Sequence, residues 1–238
     1  MSNKDILKIK ETDDSKMPES CPINDVVPKP PMILTCVSPA KTGKSTICGN
    51  LLLRYYKNCF DTIYIFSPTA STDKTTRSYL KAFENDDVDT ELIVFEDHSD
   101  LMNADTYIQE IIDSQNKQKQ SERERVLILV DDAVGFGSSF KKLNYLCTRY
   151  RHLNLSIIQN SQNYRRLDPL MRVNSTAIII NEITNLKELS KLEEEILDNV
   201  PNWKKHYDIA TAQRYNFLYF NILEQKLYHN FSTLLWEK

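Results

Sequence analysis

The stretch that most restricts how this chain can fold is residues 32–55. Pro28-Lys-Pro-Pro31 bars a helix and delivers the backbone in extended form. Met32-Ile-Leu-Thr-Cys-Val37 then gives a short, almost wholly apolar run of the kind a strand shows when both of its faces are covered. A polar turn follows, Ser38-Pro-Ala-Lys-Thr-Gly43-Lys44-Ser45-Thr46, after which Ile47, Leu51, Leu52 and Tyr55 recur at helical spacing. Strand, tight turn and helix in that order commit the region to a layered α/β arrangement.

The alternation continues. Strands are expected at 62–66, 91–95, 126–130, 155–158 and 176–180, with helices at 74–83, around 107–112 (Tyr107, Ile108, Ile111 and Ile112 on one face) and around 142–150. This pattern predicts a mostly parallel sheet covered by helices on both faces. Beyond it, residues 186–197 read as an acidic amphipathic helix stopped by Pro201, and two apolar runs, 215–220 and 226–231, predict an antiparallel hairpin at one edge. Residues 1–31, with prolines at 18, 22, 28, 30 and 31, read as an extended or disordered arm outside the core. The expected organisation is therefore an arm (1–31), a core (32–182) and a helical and hairpin extension (183–238).

Composition excludes several classes. With 238 residues, 41% of them hydrophobic and 26% charged, the chain can bury a sizeable core. No run approaches the roughly 18 apolar residues of a membrane-spanning helix, and residues 1–10 lack the apolar centre of a signal peptide. Five cysteines, an odd number with no CxxC pair, argue against a disulfide framework and a zinc site and favour a reducing, intracellular setting. The net charge of −3 hides an asymmetry. Residues 141–172 carry seven basic side chains (Lys141, Lys142, Arg149, Arg151, Arg165, Arg166, Arg172) against Asp168 alone, whereas residues 84–100 carry eight acids and no lysine or arginine.

The turn after the first strand matches GxxxxGK(S/T), with Ser38 in place of the first glycine. Gly43 permits close backbone approach to phosphate oxygens, and the amides around it point inward at a helix N-terminus that favours anions. Lys44 supplies a point charge for β- and γ-phosphates, and the Ser45 hydroxyl is a Mg²⁺ ligand. Residues Ser38, Pro39, Ala40, Lys41, Thr42, Gly43, Lys44, Ser45 and Thr46 are thus the candidate nucleotide loop, and the fold expected is that of a P-loop NTPase. An incidental Gly-Lys-Ser in a turn is the alternative; the strand before and the helix after argue against it. Lys44→Ala is expected to abolish turnover and leave the fold intact.

Val126-Leu-Ile-Leu-Val130 ends in Asp131-Asp132, and carboxylates at the C-terminal end of a parallel strand lie in the crevice where such sheets bind ligands. Asp131 suits Mg²⁺ and Asp132 an attacking water, although an N-cap or Asx turn would also explain Asp132. Asp132-Ala-Val-Gly135 also fits the DxxG of GTPases, but no guanine-reading NKxD accompanies it. Gln162, just past the fifth strand, is either a γ-phosphate sensor or an amide capping a loop. Arg172 is either a guanidinium acting on phosphate charge, across a subunit boundary included, or a surface arginine.

In this order, the Ser-Pro-Ala-Lys-Thr-Gly-Lys-Ser turn, Ser67-Pro68-Thr69, Asp131-Asp132, the Tyr150-Arg-His-Leu-Asn-Leu-Ser156 run followed by Ser161-Gln162, and Leu167-Asp-Pro-Leu-Met-Arg-Val-Asn174 resemble the poxvirus-type genome-packaging ATPases of large DNA viruses, within the FtsK–HerA group of DNA pumps. The resemblance covers about residues 32–182. It implies a RecA/FtsK-like core with one strand between the lysine-bearing and aspartate-bearing strands, and an ATP- and Mg²⁺-dependent ATPase. It further implies a homo-oligomeric ring around double-stranded DNA that packages a genome into a preformed capsid in the host cell, with capsid or portal contacts and virion association left open. Lys44 and Ser45 would bind nucleotide and metal, Asp131 and Asp132 serve hydrolysis, Gln162 act as sensor, and Arg172 match the arginine beyond it. The basic stretch suits sequence-blind phosphate contacts, or equally a solvated face. Two rivals remain: a P-loop kinase with Arg165 and Arg166 as its lid, and a degraded NTPase used in assembly, favoured by Ser38 and by aspartate at 132.

Overall fold

A computed structural model describes residues 21–22, 24–85 and 90–238. Most of the expected arm, residues 1–20 and 23, and residues 86–89 of the acidic stretch lie outside the described residues. Nine strands form one sheet in the order β3-β2-β4-β5-β1-β6-β7-β8-β9. The first six in sequence, β1 (Ile33–Val37), β2 (Thr62–Phe66), β3 (Glu91–Phe95), β4 (Val126–Asp131), β5 (Leu155–Ser161) and β6 (Ala177–Asn181), all pair in parallel. Then β7 (Phe217–Asn221), β8 (Lys226–His229) and β9 (Thr233–Glu237) add antiparallel pairs.

The period of two along a strand explains the continuous apolar runs. Leu127 and Leu129 of β4 join one core while Val126, Ile128 and Val130 join the other, so no position faces water. The first core lies under α1 (Lys44–Asn50), its continuation as a π-helical turn Leu51–Tyr55, and α2 (Lys74–Asn85). The second lies under α3 (His98–Met102), α4 (Ala104–Lys117), α5 (Lys141–Leu146) and α6 (Pro169–Val173). A third, beneath α7 (Leu186–Leu192) and α8 (Trp203–Thr211), joins β6, β7 and β8. At the outer edge β3 is only partly covered, with Glu91 and Val94 exposed. As the resemblance implies, β5 alone separates β1 from β4.

Two expectations need correction. The described end of the arm is not outside the core, because Val27 is 1% exposed and packs with Met32. Cys21 and Cys59 form a disulfide, with Cα atoms 5.4 Å apart. Spacing argued against pairing, yet the chain returns across 38 residues to bring them together, while Cys36, Cys48 and Cys147 stay free and buried. The expected antiparallel hairpin is present as β7 and β8; β9 extends it by a further strand, and α8 packs Trp203 and Tyr207 under it. Among the described residues no helix is long and apolar enough to cross a membrane.

Candidate active site

The turn after β1 is shaped by its own hydrogen bonds. Ser38 is fully buried; its amide donates to the Ser161 carbonyl at 2.9 Å and its hydroxyl donates to Asn181 Oδ1 on β6. The serine found where the motif has glycine therefore anchors the start of the loop to two neighbouring strands. Thr42 Oγ1 donates to the Pro39 carbonyl at 2.7 Å, and Asn181 Nδ2 donates to the carbonyls of Thr42 and Asn216, each at 3.2 Å. Gly43 adopts φ 97°, the left-handed region that favours glycine. It has a second reason to be glycine: a Cβ there would stand 3.3 Å from Cδ1 of Tyr215.

A cleft of about 900 Å³ opens over this loop. Of the nine candidate loop residues, Pro39, Ala40, Lys41, Gly43, Lys44, Ser45 and Thr46 line it; Ser38 and Thr42 support it from behind. Lys44 Nζ lies 3.5 Å from Asp131 Oδ1 and forms a closer ion pair with Asp132 Oδ2. Burial alone would lower the lysine's pKa, but the Asp131 charge and the Asp132 hydrogen bond outweigh it and hold the group above its ordinary value. Asp131, 2% exposed, moves the other way from a usual ion-paired acid: burial raises it, against the opposing effects of Lys44 and of Asn160, whose Nδ2 donates to Oδ1 at 3.1 Å. Asp132 has φ 52° and makes no capping hydrogen bond to the 3₁₀ turn Ala133–Ser139 that it precedes. Its side chain turns back instead to Lys44 and to Gln162, whose Nε2 donates to Oδ1 at 3.3 Å. Asp132 therefore does not serve as an N-cap of that turn.

Arg172 does not join this group. It is 7% exposed and bonds Glu195 through two nitrogens at 2.9 and 3.0 Å, while its third nitrogen donates to the carbonyls of Arg165 and Leu167. Every nitrogen is used inside the chain, so this guanidinium is offered neither to the cleft nor to another subunit. Arg165 and Arg166 are exposed and lie outside the cleft lining as well.

Sequence reasoning missed Asp73, Arg214, Tyr215 and Asn230, which all line the cleft. Asp73 opens α2, accepting from the Thr76 amide at 2.7 Å and the Thr76 hydroxyl at 2.8 Å. Burial tends to raise its pKa, but those bonds, with others from Ser45 and Thr75, hold it below the usual value. An aspartate just before a helical run is a readable start signal; that it would reach Ser45 is not readable.

Ser45 and Asp73 line the cleft and Asp131 is buried behind Lys44; their hydroxyl and carboxylate oxygens are of the hard type that Mg²⁺ prefers. Among the described residues no group of three His, Cys, Asp or Glu could hold a metal unaided.

A glycine turn whose lysine meets two strand-end carboxylates, on a parallel sheet with helices on both faces, defines the P-loop NTPase fold. Residues 25–223 match the poxvirus A32 protein family, and the chain belongs to that family. The match runs past residue 182, where the sequence resemblance stops, and takes in β7. No curated protein matches by sequence. Among solved structures, the genome packaging NTPase B204 from Sulfolobus turreted icosahedral virus 2 in complex with AMPPCP superposes with a TM-score of 0.60 at 16% identity, covering 84% of this chain and 97% of that one. The same protein in complex with ATP-gammaS gives 0.59 at 16% identity, over 83% and 95%. ATPases 2 and 3 of EssC from Geobacillus thermodenitrificans give 0.50 at 15% identity, over 68% of this chain and 34% of that chain.

Proposed function

We infer that this chain is a genome-packaging ATPase, hydrolysing ATP in the cleft above Gly43 to drive double-stranded DNA into a viral capsid. The observation that carries the reading is the convergence of the Asp131 and Asp132 carboxylates on Lys44, which lines that cleft. The loop amides and Lys44 bind the β- and γ-phosphates; Ser45 and Asp131 hold Mg²⁺, with Asp73 hydrogen-bonded beside Ser45. When bound, Mg²⁺ neutralises the charge developing on the phosphates. Asp132, a quarter exposed and tethered by Gln162, orients the attacking water and accepts its proton. Placement and fixed charge supply most of the acceleration.

DNA handling is supported by family membership and by the basic stretch. Six of its seven cations, Lys141, Lys142, Arg149, Arg151, Arg165 and Arg166, are exposed or half-buried, and only Arg172 is withdrawn. Such charges bind phosphates without reading sequence, as a pump must. A homo-oligomeric ring, contacts with capsid or portal, and action inside the host cell or in the virion belong to the same proposal.

Phosphate release by the purified chain, measured with and without double-stranded DNA, tests it. Release is expected to need Mg²⁺ and to rise with DNA, and the stimulation to fade as salt increases. A DNA-indifferent monomer whose ATP consumption follows a small acceptor would establish the kinase reading instead. Asp132→Asn is expected to bind ATP normally and to lose roughly 10²–10⁴-fold in turnover, the usual worth of a general base, checked by comparing ATP titration with single-turnover rate.

A further inference from the structure

Among the cleft residues outside every motif are Arg214 and Tyr215, in the connection between α8 and β7. Tyr215 is 55% exposed, a large aromatic at the surface, and it holds φ 72°, a backbone setting that bulky residues seldom adopt. Strain of this kind persists only where the surroundings fix it. Here the Asn216 carbonyl accepts from Asn181, which also holds the Thr42 carbonyl, and the ring edge rests on Gly43. The Arg214 guanidinium lies over the tyrosine ring, 4.7 Å from its centroid. An arginine-backed aromatic is thereby held against the phosphate loop, in the same cleft as Lys44.

We propose that Arg214 and Tyr215 form the wall against which the purine base of the bound nucleoside triphosphate packs. This rests on the reading of the cleft as a nucleotide site and adds the part of the ligand that the loop itself does not recognise. The loop, Lys44 and Ser45 address phosphates and metal; none of them presents a flat surface to a base. A tyrosine stacked with a guanidinium does, and aromatic stacking of this type is tolerant of base identity. Asn230, also in the lining, accepts from the Phe217 amide through Oδ1 and donates to Asn216 through Nδ2.

The test titrates the full chain, in Mg²⁺, with ATP and separately with inorganic tripolyphosphate, which has the phosphates and no base. Wild type is expected to bind both. Tyr215→Ala is expected to weaken ATP roughly tenfold or more and to leave tripolyphosphate unchanged, Arg214→Ala to do the same more mildly, and Tyr215→Phe to keep wild-type affinity for both. Unchanged ATP affinity in Tyr215→Ala and Arg214→Ala, or an equal loss of both ligands in every variant, overturns the wall. A wild-type chain that binds neither ligand overturns the nucleotide reading beneath it, so the two failures are distinguishable.

Discussion

Replacing Lys44 with alanine is expected to cut phosphate release by roughly 10²–10³-fold and, against the expectation from sequence, to lower stability too. Lys44 is the cation between two carboxylates, one of them only 2% exposed. Removing one member of a buried pair leaves the other charge uncompensated, at about 3–5 kcal/mol. The loss here should sit near the lower end, about 3 kcal/mol, because Asn160 still donates to Asp131 and the acid, already raised by burial, can take up a proton. Denaturant titration of Lys44→Ala, with Lys44→Ala/Asp131→Asn beside it, separates the two consequences. The double variant should regain stability and remain inactive. A single variant as stable as wild type would refute the buried pair, and one with undiminished turnover would refute the site.

Arg172→Ala should be the more damaging change to the fold and the lesser one to chemistry. The side chains of Arg172 and Glu195 are 8% and 13% exposed, and they join α6 to the π-helical turn Glu193–Leu197. Breaking the pair should remove about 3–5 kcal/mol, a fall in Tm on the order of 10 °C for a chain of this size. Burial works to raise the Glu195 pKa, but hydrogen bonds from Arg172, Tyr164 and Lys191 prevail and hold it below the usual carboxylate range. Its contribution is therefore complete above the unfolded-state value and is lost as pH falls through the lower, folded one. Glu195→Gln should flatten that acid limb. Turnover below the shifted Tm should survive in Arg172→Ala; an arginine acting across a subunit boundary would give the reverse, lost turnover at unchanged Tm.

The parallel sheet was legible because strands covered on both faces are apolar at nearly every position, as in Val126-Leu-Ile-Leu-Val130. The phosphate loop and the paired aspartates were legible because their chemistry is local in sequence. What escaped depends on distant partners. Whether Arg172 is offered or withdrawn turns on Glu195, 23 residues away. Cys21 and Cys59 meet only when the chain returns over the first core. Asp73 is an ordinary residue in a polar stretch, and Tyr215 only the first residue of an apolar run, until α2 and the approach to β7 bring them to Ser45 and Gly43. The edge strand β9 (Thr233–Glu237) alternates too weakly to stand out, since neither of its faces is deeply buried.

Asn181 has one last consequence. Its amide touches the Ser38 hydroxyl and the Thr42 carbonyl on one side and the Asn216 carbonyl on the other, so a single side chain ties both ends of the phosphate loop to the final third of the sheet. A fragment trimmed at residue 182 to isolate the catalytic half would keep its lysine and aspartates yet lose the clamp's far jaw. Load borne by the carboxyl-terminal strands would likewise be felt at the loop with no lever in between.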